Sequence, residues 1–349
     1  MKKSLKKFKE KYLEHMLSFL WRQWSALGVA GYAESKDNRV IDPEALLLFS
    51  CTISRYDARL FDEILDWLTR GEFINIQRLK RILTREIFAG ERVLAAIAGY
   101  LTEKSKSLKW KGFDGITNSA GEENLFLAKD GKQIAHYGDR DPSFQKHGLL
   151  RGPIKLRGRH LHFPPVETTR LLFNIKLRAL LGISARAEIV AYLLTHESAH
   201  PSLIAREIYF SQKTVQDALV EMAQSGLVRV RSAGREKHYW LNRSEWLSFL
   251  GLQGNIPKWV NWPLLLSALE RIWLKLNQPG FMEMGALLQS SELRILMQDI
   301  RPNIESAGFA GCLSDDRHHL GETYTDVFLS DIEKIIEVMN GTIETENKP

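Results

Sequence analysis

Residues 211–240, SQKTVQDALVEMAQSGLVRVRSAGREKHYW, place polar and cationic side chains at two regular spacings. Over 212–224 the apolar residues Val215, Leu219 and Met222 recur at i, i+4 and i+7 with Ala218 between them, which predicts a helix with a narrow buried stripe. Gln212, Lys213, Thr214, Gln216 and Asp217 are left outward on its first turns. Amide, hydroxyl and ammonium groups in that position can hydrogen-bond to base edges and phosphates. Ser211 can cap the helix by accepting from the Thr214 N–H; Thr214 is neither Glu nor Gln, so no reciprocal capping box forms. Gly226 suits a helix stop. After it the pattern alternates, with Val228 and Val230 expected toward a core and Arg229 and Arg231 outward. Gly234 lies at the bend, followed by Arg235, Lys237 and His238. A hairpin with a cationic tip and outer face suits a phosphate backbone.

Catalytic and metal chemistry have less support. The patterns G-x-x-x-x-G-K-[ST], G-x-G-x-x-G and G-x-S-x-G do not occur. The stretch DDRHH at 315–319 offers carboxylates and imidazoles, but adjacent histidines seldom converge on one ion, so a solvated loop is expected. His160 and His162 share one side of an extended segment, and His196 and His200 straddle a helix end without H-E-x-x-H. Glu122 and Glu123 sit in a loop with no acid–base partner in view. Cys51 and Cys312 are far apart and outside any CxxC, which argues against a disulfide framework or a thiolate zinc site. The expectation is a protein that is not an enzyme, with no catalytic residue, metal or cofactor; an enzyme acting on nucleic acid is the third alternative.

The elements that must hold these residues divide the chain into four expected parts. Residues 1–104 read as an N-terminal helical domain. It opens with a lysine-rich amphipathic helix whose face is Leu13, Met16, Leu17, Leu20 and Trp24; no signal-peptide cleavage site follows. Asp42 and Pro43 start a helix, and Leu60, Phe61, Ile64, Leu65 and Leu68 stripe the next. A further helix from Asn75 turns Ile76, Leu79, Leu83 and Ile87 inward and Arg78, Lys80, Arg81 and Arg85 outward. Those two helices read as a packing unit, with a second DNA-binding element as the alternative. Residues 105–165 read as an irregular connector with a short hairpin turning at Asp130-Gly131. Its segment Arg151, Lys155, Arg157 and Arg159 is either a solvated loop or an arm on a phosphate backbone. Residues 166–245 form the part holding the opening stretch, and 246–340 a C-terminal helical domain in which Pro302 should kink or end a helix. The fold class expected is mainly α with a small β-wing, multidomain, with a central winged helix-turn-helix between helical flanks.

From about Ser184 to Asn242 the chain resembles a bacterial winged helix-turn-helix of the ArsR/MarR type. The resemblance lies in two helices, the S-x-x-T-V-x-x-x-L third helix, G-L-V and the glycine-tipped basic hairpin. It implies that Gln212, Lys213, Thr214 and Gln216 face bases and that Arg235 and Lys237 sit on the wing. Asp217 departs from the family pattern: a carboxylate there repels phosphate unless it accepts from a cytosine amino group or is neutralised by Arg206. The whole chain has a looser similarity to antitoxin-like regulators paired with nucleotidyltransferase toxins, carried by LFLAKDGKQIAHYGDRDPSFQKHGL.

The charge distribution suits a polyanion partner. Net charge is +6, but residues 151–245 hold 15 Lys/Arg against 8 Asp/Glu, and residues 246–349 hold 8 against 14. No run of eighteen apolar residues occurs, so no transmembrane helix and a cytoplasmic location are expected. The partners expected are double-stranded DNA and a second copy of the chain, with a protein encoded nearby as the antitoxin-like alternative and no membrane. The regulatory reading is a transcription regulator.

Overall fold

The computed structural model describes residues 2–29, 39–70, 73–105, 108–113, 121–156, 158, 172–234, 236–252, 256–315, 319 and 321–341. The chain is mainly helical. The N-terminal part carries α1 (Lys2–Ala26), α2 (Pro43–Ile53), α3 (Ala58–Arg70), α4 (Ile76–Arg85) and α5 (Glu91–Ser105), then a 3-10 turn at Leu108–Phe113. Two short strands, β1 (Glu123–Asn124) and β2 (Leu149–Leu150), flank α6 (Pro142–Gln145). The middle holds α7 (Phe173–Leu181), α8 (Ala185–Thr195), α9 (Pro201–Glu207) and α10 (Gln212–Gln224). The antiparallel strands β3 (Arg229–Ala233) and β4 (Glu236–Trp240) follow, then α11 (Arg243–Phe249). The chain closes with α12 (Trp262–Leu276), α13 (Ala286–Ile304) and α14 (Tyr324–Met339). Among the described residues no helix is long and apolar enough to cross a membrane.

Local chemistry starts and stops these helices. The Asp42 carboxylate accepts from the Ala45 N–H at 3.1 Å, and Pro43 takes the first helical position, where its missing N–H costs nothing. Asn75 caps α4 through the Arg78 N–H at 3.0 Å. Pro302 does not break α13 at once: the helix runs two residues further and dissolves into a π-helical turn at Glu305–Phe309, where Gly308 adopts a φ of 97°. The hairpin expected at Asp130-Gly131 is present as a bridge between Leu127 and Gln133, with Gly131 at a φ of 88°. The parallel pairing of β1 with β2 has no counterpart in the sequence reading.

Two hydrophobic cores organise the described residues. One joins α1–α5 to α12–α14, so the two helical flanks expected as separate domains share a single interior. The apolar face of α1 finds its complement across the chain: the Tyr12 hydroxyl donates to the Leu269 carbonyl at 2.7 Å, and the Tyr12 ring stacks on Trp273 with 6.2 Å between centroids. Periodicity marks the face of α1 but carries no information about a partner so distant in sequence. The second core lies within residues 173–252, with Val40 added to it.

Helix α4 departs from its expected orientation. Arg78, expected outward, is 2% exposed, and Ile87, expected inward, is 66% exposed. The helix ends at Arg85, so Ile87 no longer follows the helical stripe, while Arg78 is drawn inward by buried carboxylates described below.

Glu270 on α12 ties the flanks together inside the shared core. It is fully buried, and its Oε2 accepts from the Ala89 N–H at 2.8 Å, at the turn between α4 and α5. Burial pushes its carboxyl up from 4.5 to about 7. The folded state therefore holds this proton more tightly than the unfolded chain, and stability is lost as pH rises between those two values. The expected outcome for Glu270→Gln is a melting temperature above wild type at pH 8, the gap closing by pH 4; the displaced pKa corresponds to about 3 kcal/mol. Thermal unfolding followed by circular dichroism across that pH range checks this, and parallel curves for the two proteins would contradict it.

Candidate functional site

The second core is the platform for the opening stretch. Val215, Leu219 and Met222 on α10 are buried with Ile189 and Leu193 of α8, Ile204 of α9, and Ile208. The α10 start is as expected: the Ser211 Oγ accepts from the Thr214 N–H at 3.1 Å. Gly226, at a φ of 77°, follows the helix, and the Val228 N–H returns to the Met222 carbonyl at 3.1 Å. This geometry leaves Gln212, Lys213, Thr214 and Asp217 exposed and Ser211 and Gln216 half-exposed along the first turns. At 1.5 Å per residue α10 is about 20 Å long.

The strands after α10 pair in the register Arg229 with Trp240, Arg231 with His238 and Ser232 with Lys237. Tyr239 also exchanges both backbone hydrogen bonds with Ala199 at 3.0 Å, so β4 lies between β3 and the loop joining α8 to α9. Tyr239 is accordingly buried, whereas Val230 directly opposite is 47% exposed. Val230 was expected in the core; it stays outside because β3 is the outer strand and is covered from one side only. Arg229, Arg231 and Lys237 are exposed. The Arg229 guanidinium rests 5.2 Å from the Trp240 ring centre, and Arg231 donates to the Ser198 hydroxyl at 3.3 Å. Arg235 lies outside the described residues, as do Arg157, Arg159, His160, His162 and residues 316–318.

Arg151 is placed differently from either reading of the connector's basic segment. Arg151 is 4% exposed, ion-paired with Asp62 at 2.9 Å and set 5.2–5.7 Å from the rings of Phe61, Phe126 and Phe144. A guanidinium enclosed by three rings and a carboxylate is not available to a phosphate, which removes Arg151 from the backbone arm. Lys155 is exposed, but it lines a cleft with Asp62, Glu63 and Asp66 of α3. The Gly158 N–H donates to Asp66 at 2.6 Å, so this stretch is held on the acidic face of α3.

The histidines serve helix ends. His196 closes α8, stacks on Tyr192 with 3.9 Å between ring centres, and has its imidazole pKa lowered by burial. His200 caps α9 by accepting from the Ser202 N–H at 3.3 Å. Among the described residues no group of three or more His, Cys, Asp or Glu is arranged to hold a metal ion. Arg206 turns to Glu207 at 3.2 Å and not to Asp217.

A buried ion cluster, unforeseen from the sequence, fixes this platform against the helical body. Glu44 on α2 is fully buried and its carboxylate receives Arg178 of α7 at 2.7 and 2.8 Å, Arg78 of α4 at 2.6 Å, and the Asn75 N–H at 2.6 Å. Arg178 also meets Glu188 of α8 at 2.7 Å, and Arg78 meets Asp42 at 2.7 Å. The Arg78 Nε donates at 3.0 Å to the carbonyl of Ile208, which closes α9 and opens the turn into α10. Burial alone would raise the Asp42 carboxyl, but the adjacent Arg78 outweighs it and holds that carboxyl below the ordinary carboxylate range. One residue further on, Tyr209 adopts a φ of 59°, the positive φ of a non-glycine residue among those described. That conformation costs about 1–2 kcal/mol. It turns the Tyr209 ring into the core of the helical body, where the hydroxyl lies 2.8 Å from Glu86 and 3.2 Å from Asn261.

Comparison with protein-family models, curated proteins and solved structures gives no match.

Because Glu44 carries both arginines, Glu44→Ala is expected to destabilise the fold by about 3–5 kcal/mol, the cost of leaving buried charge unpaired. Urea unfolding measures it; a loss below about 1 kcal/mol, the range of exposed pairs, would mean the cluster is solvated in solution.

Proposed function

We propose that the chain is a transcription regulator that binds duplex DNA through a winged helix-turn-helix formed by α8–α10 and the β3–β4 hairpin. The observation that carries this reading is the division of α10: its apolar stripe is buried, while Gln212, Lys213 and Thr214 stand exposed behind the Ser211 cap. In this reading α10 enters the major groove, its amide and hydroxyl groups meet base edges, and the Lys213 ammonium reaches a phosphate at the groove's edge. Arg229, Arg231 and Lys237 on the hairpin lie along the backbone, where they add affinity without sequence preference. Two copies related by a two-fold axis would read half-sites about 34 Å apart. Asp217, exposed on the same face, restricts which base pairs α10 tolerates, since a carboxylate is accommodated best beside a cytosine amino group.

A second reading, an antitoxin-like protein that binds a partner, is favoured by the C-terminal part. Leu287, Leu288 and Ile295 on α13 are 58%, 51% and 60% exposed, within a part of the chain that is net acidic. A basic partner with an apolar patch would suit that face.

DNA binding by the isolated chain separates the two readings. Lys213→Ala and Lys237→Ala are each expected to make the slope of log affinity against log salt shallower by about 0.9, the value of one phosphate contact on B-form DNA. Asp217→Asn is expected to tighten binding to unrelated duplexes by removing a repulsive charge. Fluorescence anisotropy over a salt series measures all three; affinity unchanged in both lysine variants would exclude these contacts.

A further inference from the structure

The proposed interface leaves α4 without a role, although its charge is one-sided. Its sequence IQRLKRILTR holds four cations and no carboxylate. Arg78 is enclosed in the ion cluster, but Arg85 is exposed and Lys80 and Arg81 are half-exposed. Each of the three is laid against a ring: Lys80 is 5.3 Å from Phe113, Arg81 5.7 Å from Phe210 and Arg85 4.9 Å from Tyr209. Such contacts order a long side chain at the surface while its charge stays solvent-facing. Solvation alone does not call for a single sign, because alternating charges solvate a helix equally well and add support between turns.

The position of this strip gives it meaning. Phe210 directly precedes Ser211, so Arg81 lies beside the capped end of α10, and Arg85 donates to the Arg206 carbonyl at 3.4 Å on α9. At the other end Lys80 adjoins the turn Leu108–Phe113, whose sequence LKWKGF adds Lys109 and Lys111 and again no carboxylate. Two acids beside the strip have other partners: Glu86 accepts from the Tyr209 hydroxyl, and Glu207 pairs with Arg206 and Asn261. A cationic strip thus runs beside the start of α10 along α4 from Lys80 to Arg85, about 8 Å of helix axis.

We infer that a duplex seated on α10 continues across α4, with Lys80, Arg81 and Arg85 contacting phosphates outside the footprint of the winged module. The inference rests on the winged-helix reading and extends it: a helix of the N-terminal body becomes part of the DNA interface. A duplex presents one phosphate charge per about 1.7 Å of axis, so a strip of that length faces several. The contacts are to phosphate and are blind to sequence. They lengthen the footprint on one side of each half-site and make binding steeper in salt than the winged module alone would.

The test uses the full chain and a fluorescein-labelled random-sequence duplex, with anisotropy titrations from roughly 50 to 200 mM salt. Arg81→Gln/Arg85→Gln is compared with Arg81→Lys/Arg85→Lys and with Lys213→Ala. At 0.9 per contact the glutamine pair is expected to make the salt slope shallower by about 1.8 and to weaken binding about 30-fold near 0.15 M, equally on a second unrelated sequence. The lysine pair, which keeps both charges, is expected to retain the wild-type slope. If the glutamine pair binds like wild type while Lys213→Ala weakens binding, the α4 contact is wrong and the winged-helix reading stands. If neither the glutamine pair nor Lys213→Ala changes binding, or if the wild-type chain does not bind the duplex, both fall. If the lysine pair is as weak as the glutamine pair, charge is not the cause and the inference is overturned even where the variants have lost stability.

Discussion

The structure turns on a small set of charges buried where the two hydrophobic cores meet. Asp42, Glu44, Arg78, Arg178 and Glu188 come from the cap of α2, from α2, α4, α7 and α8, and they bond mainly to one another. Removing such groups from water costs several kcal/mol per ion, and their mutual attraction offsets this only when every hydrogen-bonding position is filled. Glu44 satisfies that condition with four short bonds to three residues. Apolar side chains of similar volume would pack as well, but they would tolerate sliding. A carboxylate shared by two guanidiniums holds α2, α4 and α7 in one arrangement only.

The consequence reaches α10 through the backbone. Arg78 accepts no compromise in position, being bonded to two carboxylates and to the Ile208 carbonyl. The next residue, Tyr209, buries its ring in the helical body despite an unfavourable backbone conformation. The turn that aims α10 is therefore attached to the body at two consecutive residues. What is exposed on α10, and what lies beside it on α4, are set by the same junction: Arg78 faces inward to the charges, its helical neighbours Arg81 and Arg85 are carried to the outside against Phe210 and Tyr209, and Lys80 lies against Phe113. The proposed duplex track is the outer surface of the element whose inner surface anchors the module.

Arginine shows where reading a sequence by polarity fails. Arg78 and Arg151 both stand in basic stretches, and both are buried, one among carboxylates and the other among three phenylalanine rings with Asp62 alongside. A guanidinium is planar, weakly hydrated and able to stack, so it enters interiors that an ammonium would not. Lys155 and Arg229, by contrast, are exposed as their surroundings in sequence suggest. Charge patterning thus identified basic segments but could not separate cations that face solvent from cations that hold the core.

Short-range physics was legible from the residues alone. Capping by Ser211, the helix starts at Asp42 and Asn75, the stop at Gly226, the stripe of Val215, Leu219 and Met222, and the turn at Gly131 each depend on groups within a few positions of one another. The apolar face of α1 was visible in the same way. Its partner was not, because the contact between Tyr12 and Leu269 joins the two ends of the chain. The merging of both flanks into one core, the inward turn of Arg78 and the outward slip of Ile87 and Val230 were decided by which surfaces met in three dimensions. Backbone hydrogen bonds and side-chain periodicity are written locally; desolvation is not, since whether a charge or a methyl group leaves water depends on neighbours that only the assembled fold supplies.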